Sequence, residues 1–317
     1  MNMNTCRGAL LGLAVGDALG VPVEFESRAR RRLDPVVSMR EYGTHHQPAG
    51  TWSDDASLTF CLAESLTYVG PYAIDVTDLS RRFMNWLDAG YWTPHGRVFD
   101  VGVATREAIV RLREGVAPEK AGGTREYDNG NGALMRILPL VFHPLWQRAA
   151  AAERQRITHK VCSLTHGHYR STLGCYLYLE LAWGLLQDLR PAQAHQRVLA
   201  EIPRGLLPSL AKEAPSYRRV LDEQLALIPE ADIQSSGYVV HTLEAALWCL
   251  LRGEFYADTV LTAVNLGDDA DTTGAVAGGL AGLCYGAAQI PTDWLAVLVK
   301  RPEIEALADR LVFAKNT

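Results

Sequence analysis

The sequence predicts an all-α fold, a compact orthogonal bundle of many helices, and three observations point there. Apolar residues recur at helical spacing: Leu79, Phe83, Trp86 and Leu87 fall at i, i+4, i+7 and i+8, and Leu243, Leu247 and Leu250 repeat the stripe. No run of alternating strands parted by tight turns is present, and no βαβ rhythm. Glycines recur every four residues at Gly8, Gly12, Gly16 and Gly20, and again at Gly274, Gly278, Gly282 and Gly286. On a helix each set forms one smooth, slowly drifting face that lets another backbone approach closely. Glycine weakens a helix by up to about 1 kcal/mol relative to alanine. Eight of them therefore predict two buried helices in near contact.

The totals fit one globular unit spanning 1–317. The chain is long enough to bury a sizeable core, with 48% hydrophobic and 21% charged residues. Its 31 basic and 36 acidic residues give a net charge of −5, which excludes a sequence-independent nucleic-acid binder. Six scattered cysteines without a CxxC read as reduced, buried thiols of a cytoplasmic protein. Two segments imitate membrane signals. The run CRGALLGLAVGDALG is short for a signal core and carries Asp17, while the uncharged stretch 272–290 is rich in glycine and alanine rather than leucine. No membrane association is expected.

Taken in order, the first glycine helix delivers Glu24. Residues 26–52 are irregular, and Arg28, Arg30, Arg31 and Arg32 read as a solvated loop. GTWSDDASLTFCLAESL begins a helix at Ser53, with Asp54 and Asp55 in its first turn. Thr77 and Asp78 are capping candidates for the helix through Leu87, and 114–131 is irregular again. In DNGNGALMRILPL, two Asn-Gly turns lead into a short apolar helix stopped by Pro139. THGHYRS places His166 and His168 ahead of a helix over 171–186 that is apolar almost all round. Those two histidines lack further zinc ligands at suitable spacing, so capping or substrate contact is their expected use. Helices over 243–250 and 260–264 precede NLGDDADTTG, where the second glycine helix starts.

Two of these stretches raise a chemical question. Ser53, Asp54 and Asp55 in one, and Asp268, Asp269, Asp271 and Thr272 in the other, cluster carboxylates and hydroxyls at the starts of apolar helices. Helix capping explains each cluster separately. Together they form an oxygen-rich, cysteine-free donor set of the kind that selects hard cations such as Mg²⁺ or Mn²⁺. Brought face to face they could hold a pair of ions.

The chain resembles the ADP-ribosylglycohydrolases, including the dinitrogenase-reductase-activating glycohydrolases. The resemblance rests on six stretches in order: GALLGLAVGDALGVPVEF, GTWSDDAS, NGNGALMRILPL, LTHGHYRS, SGYVVHTLEAALW and NLGDDADTTGAVAGGLAG. It implies an all-α hydrolase with a binuclear Mg²⁺ or Mn²⁺ centre at helix N-termini in a central cleft. Such an enzyme removes ADP-ribose from modified protein side chains, most readily from arginine. By the same resemblance Ser53, Asp54, Asp55, Asp269, Asp271 and Thr272 are the implied metal ligands. Asp55, or a water it holds, is the implied acid/base, with Asp54 as its alternate and Glu24 beside the ribose. Asn129, Asn131, Gly132 and Ala133 match the loop that cradles ADP-ribose, and His168 and Tyr238 match substrate contacts. Ser53 stands where many members have Thr, and Asp268 where many have Gly, so Asp268 is left out of the ligand set.

Other readings weigh less. In an isoprenoid synthase the carboxylates would line a helix wall, whereas these follow Asn-Leu-Gly at a helix start. An HD-type phosphohydrolase needs a His-Asp pair, which is absent. Hydrolysis of another ADP-ribose linkage (to serine, a nucleic-acid base or an O-acetyl ester) stays open. A module that binds ADP-ribose or neutralises a toxin without turnover would not need the intact acidic set.

Overall fold

The computed structural model describes residues 3–313. Fifteen α-helices occupy them: α1 (Met3–Gly20), α2 (Arg28–Leu33), α3 (Asp54–Val69), α4 (Val76–Ala89), α5 (Val103–Arg113), α6 (Pro144–Arg148), α7 (Ala151–Cys162) and α8 (Tyr169–Leu186). The rest are α9 (Pro191–Gly205), α10 (Pro208–Ala211), α11 (Val239–Arg252), α12 (Tyr256–Asn265), α13 (Ala270–Tyr285), α14 (Thr292–Val297) and α15 (Arg301–Phe313). Short 3₁₀ turns join several of them, and the described residues contain isolated bridges but no strand.

The axis of the molecule is the antiparallel pair α1 and α13, in contact from end to end. Gly8 faces Gly282, Gly12 faces Gly278, Gly16 faces Gly274, and Gly20 faces the start of α13 at Asp271. A Cβ on Gly12 would sit 2.5 Å from the Gly278 carbonyl oxygen, and one on Gly274 would sit 2.5 Å from that of Gly16. Glycine is required because any side chain would enter the opposite backbone. The helix weakness of the glycines is offset by burial on all sides. Tyr256 Oη of α12 donates to Gly12 O at 2.7 Å, and Tyr178 Oη of α8 donates to Val276 O at 3.2 Å. Gly286 departs from the predicted series: it ends α13 with φ +80° and packs against Asn4 instead.

Residues 3–23 are long and apolar enough to cross a membrane by composition alone, but 94% of their most apolar 18-residue window is buried inside the protein. Hydropathy here reflects a central helix, enclosed by α13 and α15. Arg7 of α1 makes a two-pronged ion pair to Asp309 of α15, at 2.7 and 2.6 Å.

Several local expectations need correction. The N-cap of α4 is Asp75, whose carboxylate accepts from Thr77 N and Asp78 N, so Thr77 and Asp78 already belong to the helix. Residues 26–52 are not wholly irregular, since Ser27 caps α2. The arginine run is not simply solvated. Arg31 is fully buried against Glu26 and the Asp34 carbonyl, and Arg28 reaches back to carbonyl oxygens of Glu230, Ile233 and Leu266. These arginines satisfy chain ends that no helix partner reaches. Pro139 opens rather than stops its element: it sits in the first turn of a 3₁₀ helix over Leu138–Phe142, where a missing N–H costs nothing. The segment before it is a run of turns, not an apolar helix.

Candidate active site at the paired helix ends

The glycine seam ends where the acidic residues gather. Asp17, in the last turn of α1, is completely buried, and its two oxygens accept from Ser53 N at 2.8 Å and Ala56 N at 2.9 Å. One helix thus caps another, fixing the start of α3 against α1. Ser53 adds its own cap, its hydroxyl accepting from Asp55 N at 3.2 Å. The capping explanation of the SDD motif is realised at Ser53, and Asp54 and Asp55 are held in a buried first turn. At the other helix Asp269 occupies the cap position of α13 without making a side-chain cap, which leaves its carboxylate for the cleft.

The two motifs meet. Thr272 Oγ1 lies 3.4 Å from Asp55 Oδ1, linking residues 217 apart in sequence. Oxygens of Asp17, Asp55 and Asp271 fall within 4.8 Å of one another, as do those of Glu24, Asp269 and Asp271. Asp271 is common to both groups. Burial raises the carboxyls of Asp54, Asp55 and Asp271 well above the usual range, and neighbouring carboxylates push them the same way. Asp269 is raised mainly by burial, and Asp17 and Glu24 are pushed to about 7, again with burial as the largest cause. So many like charges in a small volume are unfavourable without protons or cations.

The donor set fits a hard divalent cation. It consists of carboxylate and hydroxyl oxygens, without thiols, and Asp55 Oδ2 is buried with no protein hydrogen-bond partner. Such an orphaned oxygen is expected where a positive ion would sit.

Above this cluster lies a cavity of about 410 Å³, lined in part by Glu24, Asp54, Asp100, Thr105, Asn131 and Asp269. Gly130, Asn131 and Gly132 bring the Asn-Gly turns to its wall. The Asn131 amide donates to Asp269 Oδ2 at 2.7 Å and to Thr242 Oγ1 at 2.9 Å, tying the loop to the acidic cluster. Gly132 is obligatory, because a Cβ there would lie 2.8 Å from His166 Cε1.

The remaining expected substrate contacts lie off the cavity lining. Asn129 is buried, donating to Glu126 O at 2.9 Å and accepting from Ser171 at 3.1 Å. Ala133 is fully buried among core residues. His168 caps α8 by accepting from Arg170 N, and Tyr238 precedes α11 with its ring edge-on to His241. None of these four is among the residues lining the cavity. Ser53 likewise borders a tight crevice beside Trp52 and Trp86 rather than the main cavity.

Sequence reading missed Asp17, His45, Asp100, Thr105 and the cleft position of His166. Asp17 left a signal, the one charge in an otherwise apolar helix after Arg7. His45 and Asp100 lie in loops without periodicity, and only the fold brings them together. His166 is 2% exposed, and its Nδ1 pairs with Thr165 Oγ1 at 2.8 Å. Burial, then the Arg136 charge, lowers it to about 3, so the ring in the cleft is neutral. An unfolded histidine takes a proton below about pH 6.5. His166 therefore contributes stability above that pH, and the contribution is lost as pH falls towards 3. Its ring resonances should stay flat from about pH 8 to 5 in an NMR titration, whereas a sigmoid near 6.5 would show an exposed ring.

The sequence model of the family described as ADP-ribosylglycohydrolase matches residues 2–317. Two proteins named ADP-ribosylarginine hydrolase Tri1 are similar over nearly the whole chain. The one from Pseudomonas putida is 35% identical, covering 98% of this chain and 78% of that protein. The one from Serratia proteamaculans is 32% identical, with 98% and 80% covered. An ADP-ribosyl-[dinitrogen reductase] glycohydrolase of Rhodospirillum rubrum is 31% identical over 94% of this chain and 91% of its own. A solved structure titled "ADP-ribosylglycohydrolase-related protein complex" superposes with a TM-score of 0.79 at 35% identity, covering 99% and 98% of the two chains.

Proposed function

This chain belongs to the ADP-ribosylglycohydrolase family, and on that premise we propose that it removes ADP-ribose from arginine side chains of modified proteins, using two hard divalent cations, Mg²⁺ or Mn²⁺. The observation that carries the reading is the meeting of the two acidic helix starts. Two oxygen triads share Asp271, and Asp55 keeps a buried, unpartnered oxygen. The names of the relatives from Pseudomonas putida and Serratia proteamaculans favour arginine as the modified side chain. The six unpaired cysteines support a reducing, cytoplasmic setting.

In the reaction the bond from ribose C1 to the guanidine nitrogen breaks, water adds hydroxyl to C1, and its proton ends on the departing nitrogen. The transition state has oxocarbenium character. Bound cations would supply Lewis acidity and positive charge beside the ribose hydroxyls. Asp17, Asp55, Asp269, Asp271 and Glu24 would hold them. Asp54 lines the cavity, and its carboxyl would hold the proton delivered to the departing nitrogen. Burial and Asp100 favour that protonated form. Asn131, locked by Asp269 and Thr242, and the bare Gly132 present a fixed wall to the nucleotide.

Incubation with ADP-ribosylated arginine, serine, nucleic-acid and O-acetyl substrates tests the assignment. Release of ADP-ribose from the arginine substrate alone, abolished by a chelator and restored by Mn²⁺, is the expected result. Turnover of another linkage in its place would overturn the arginine reading.

A pH dependence follows as well. Asp17 and Glu24 titrate near 7 when folded and near 4 when unfolded, so between those values the folded state binds more protons. These two groups should accordingly cost the metal-free protein stability as pH rises from about 4 to 7, against the opposite contribution of His166, and Mn²⁺ should offset that cost while releasing protons. Thermal melts across that range with a chelator, then with Mn²⁺, check both signs. Removing a group that costs stability with rising pH should make the metal-free pH slope of Glu24→Gln more positive than that of the wild type, and equal slopes would contradict this reading.

A further inference from the structure

Glu24 is restrained from every side although it stands at the mouth of a cleft. Its carbonyl accepts from Thr44 Oγ1 at 2.8 Å, and its carboxylate is hydrogen-bonded to His45 Nε2. Thr44 N in turn donates to Pro22 O at 3.0 Å, and Gly43 lies so close to the Pro22 carbonyl that no side chain would fit between them. On the other flank Phe25 and Asp268 adopt left-handed backbone, φ +65° and +56°, and the segments exchange two hydrogen bonds. Phe25 N donates to Asp268 O, and Asp268 N donates to Glu26 O. The segment 42–47 therefore works as a strap across Glu24. His45 is its tongue, with its ring bracketed by Phe25 at 6.0 Å and Phe99 at 5.3 Å between centroids. Phe25 itself is 69% exposed, and its ring has no core to fill.

We propose that His45 is a positioning residue for the hydrolysis: it fixes the Glu24 carboxylate towards the ribose, and the tilted contacts of its ring with Phe25 and Phe99 brace it beside the cleft. The proposal rests on the ADP-ribosyl reading of the site. Long carboxylate side chains are mobile unless a partner holds them, and an ordered Glu24 lowers the entropy lost when the sugar binds. A ring in tilted contact with two aromatic side chains is a stiffer anchor than a flexible donor.

The test is a double-mutant cycle on ADP-ribose affinity, measured by calorimetry with Mn²⁺ bound, using His45→Leu, Glu24→Gln and the pair. His45→Leu should weaken ADP-ribose about tenfold in the wild-type background and less than about twofold beside Glu24→Gln, because its effect passes through Glu24. His45→Gln, which keeps a donor, should recover most of the affinity. Melting temperature should not change in any His45 variant, and every titration is run at Mn²⁺ saturating for Glu24→Gln, which separates positioning of the sugar from a structural role and from metal binding. Equal losses in both backgrounds, or no loss in His45→Leu, would overturn the proposal while leaving the hydrolase reading intact. Wild-type protein that fails to bind ADP-ribose at all would overturn both.

Discussion

Asp55→Ala and Asp271→Ala should each cut hydrolysis by at least about a thousandfold while leaving the helical fold in place. Each removes a carboxylate from the triads, and Asp271 belongs to both. The fold should survive because these side chains repel one another more than they stabilise their surroundings: burial and neighbouring carboxylates raise both carboxyls well above their usual range. Asp55 also leaves one buried oxygen without a partner, a deficit of about 1–3 kcal/mol in an uncharged setting. The metal-free melting temperature of Asp55→Ala should therefore equal or exceed that of the wild type, and the stabilisation by Mn²⁺ should vanish. Near-normal turnover at saturating Mg²⁺ in either variant would reduce that residue to a helix-end charge.

A second large effect should come from a residue that touches no substrate. Gly278→Leu should destabilise the protein by at least about 3 kcal/mol and weaken Mn²⁺ about tenfold or more. Gly278 faces the Gly12 carbonyl closely enough that even a methyl group enters backbone rather than a movable side chain. The seam must open, and its end carries Gly20 against Asp271, and Asp17 against the start of α3. Metal-site geometry tolerates about half an ångström of such drift. No residue of α13 is exposed, so the control leucine belongs elsewhere, for example Ala200→Leu on the outer face of α9. Equal, negligible effects on melting temperature and Mn²⁺ affinity at both positions would mean that the seam does not set the site.

What the sequence revealed, and what it hid, follow from the range of the interactions involved. The glycine series, the helical stripes and the two acidic helix starts are local patterns with a fixed period, and they led to the α1–α13 pair and to the Thr272–Asp55 contact. Asp17 was visible only as an oddity, because its role depends on backbone N–H groups 36 and 39 residues away. His45 and Asp100 lie in loops whose paths are set by single contacts, such as Thr44 with Pro22, and no periodicity marks them. The residues of the Asn-Gly loop divide between cavity wall and buried positions off the lining. Asn131 and Gly132 face the cleft, whereas Asn129 and Ala133 are buried away from it. Alternation within a turn run is set by each residue's dihedral angles, which the sequence motif alone does not specify.

We propose that the two acidic helix starts together form a two-cation centre. Anomalous diffraction from crystals soaked in Mn²⁺ tests it most directly. Two strong peaks a few ångströms apart, ligated by oxygens of Asp55, Asp269 and Asp271 with Asp17 or Glu24 completing the shells, are the predicted result. Peaks elsewhere on the surface, with the Asp55 and Asp271 carboxylates left empty at saturating Mn²⁺, would contradict it.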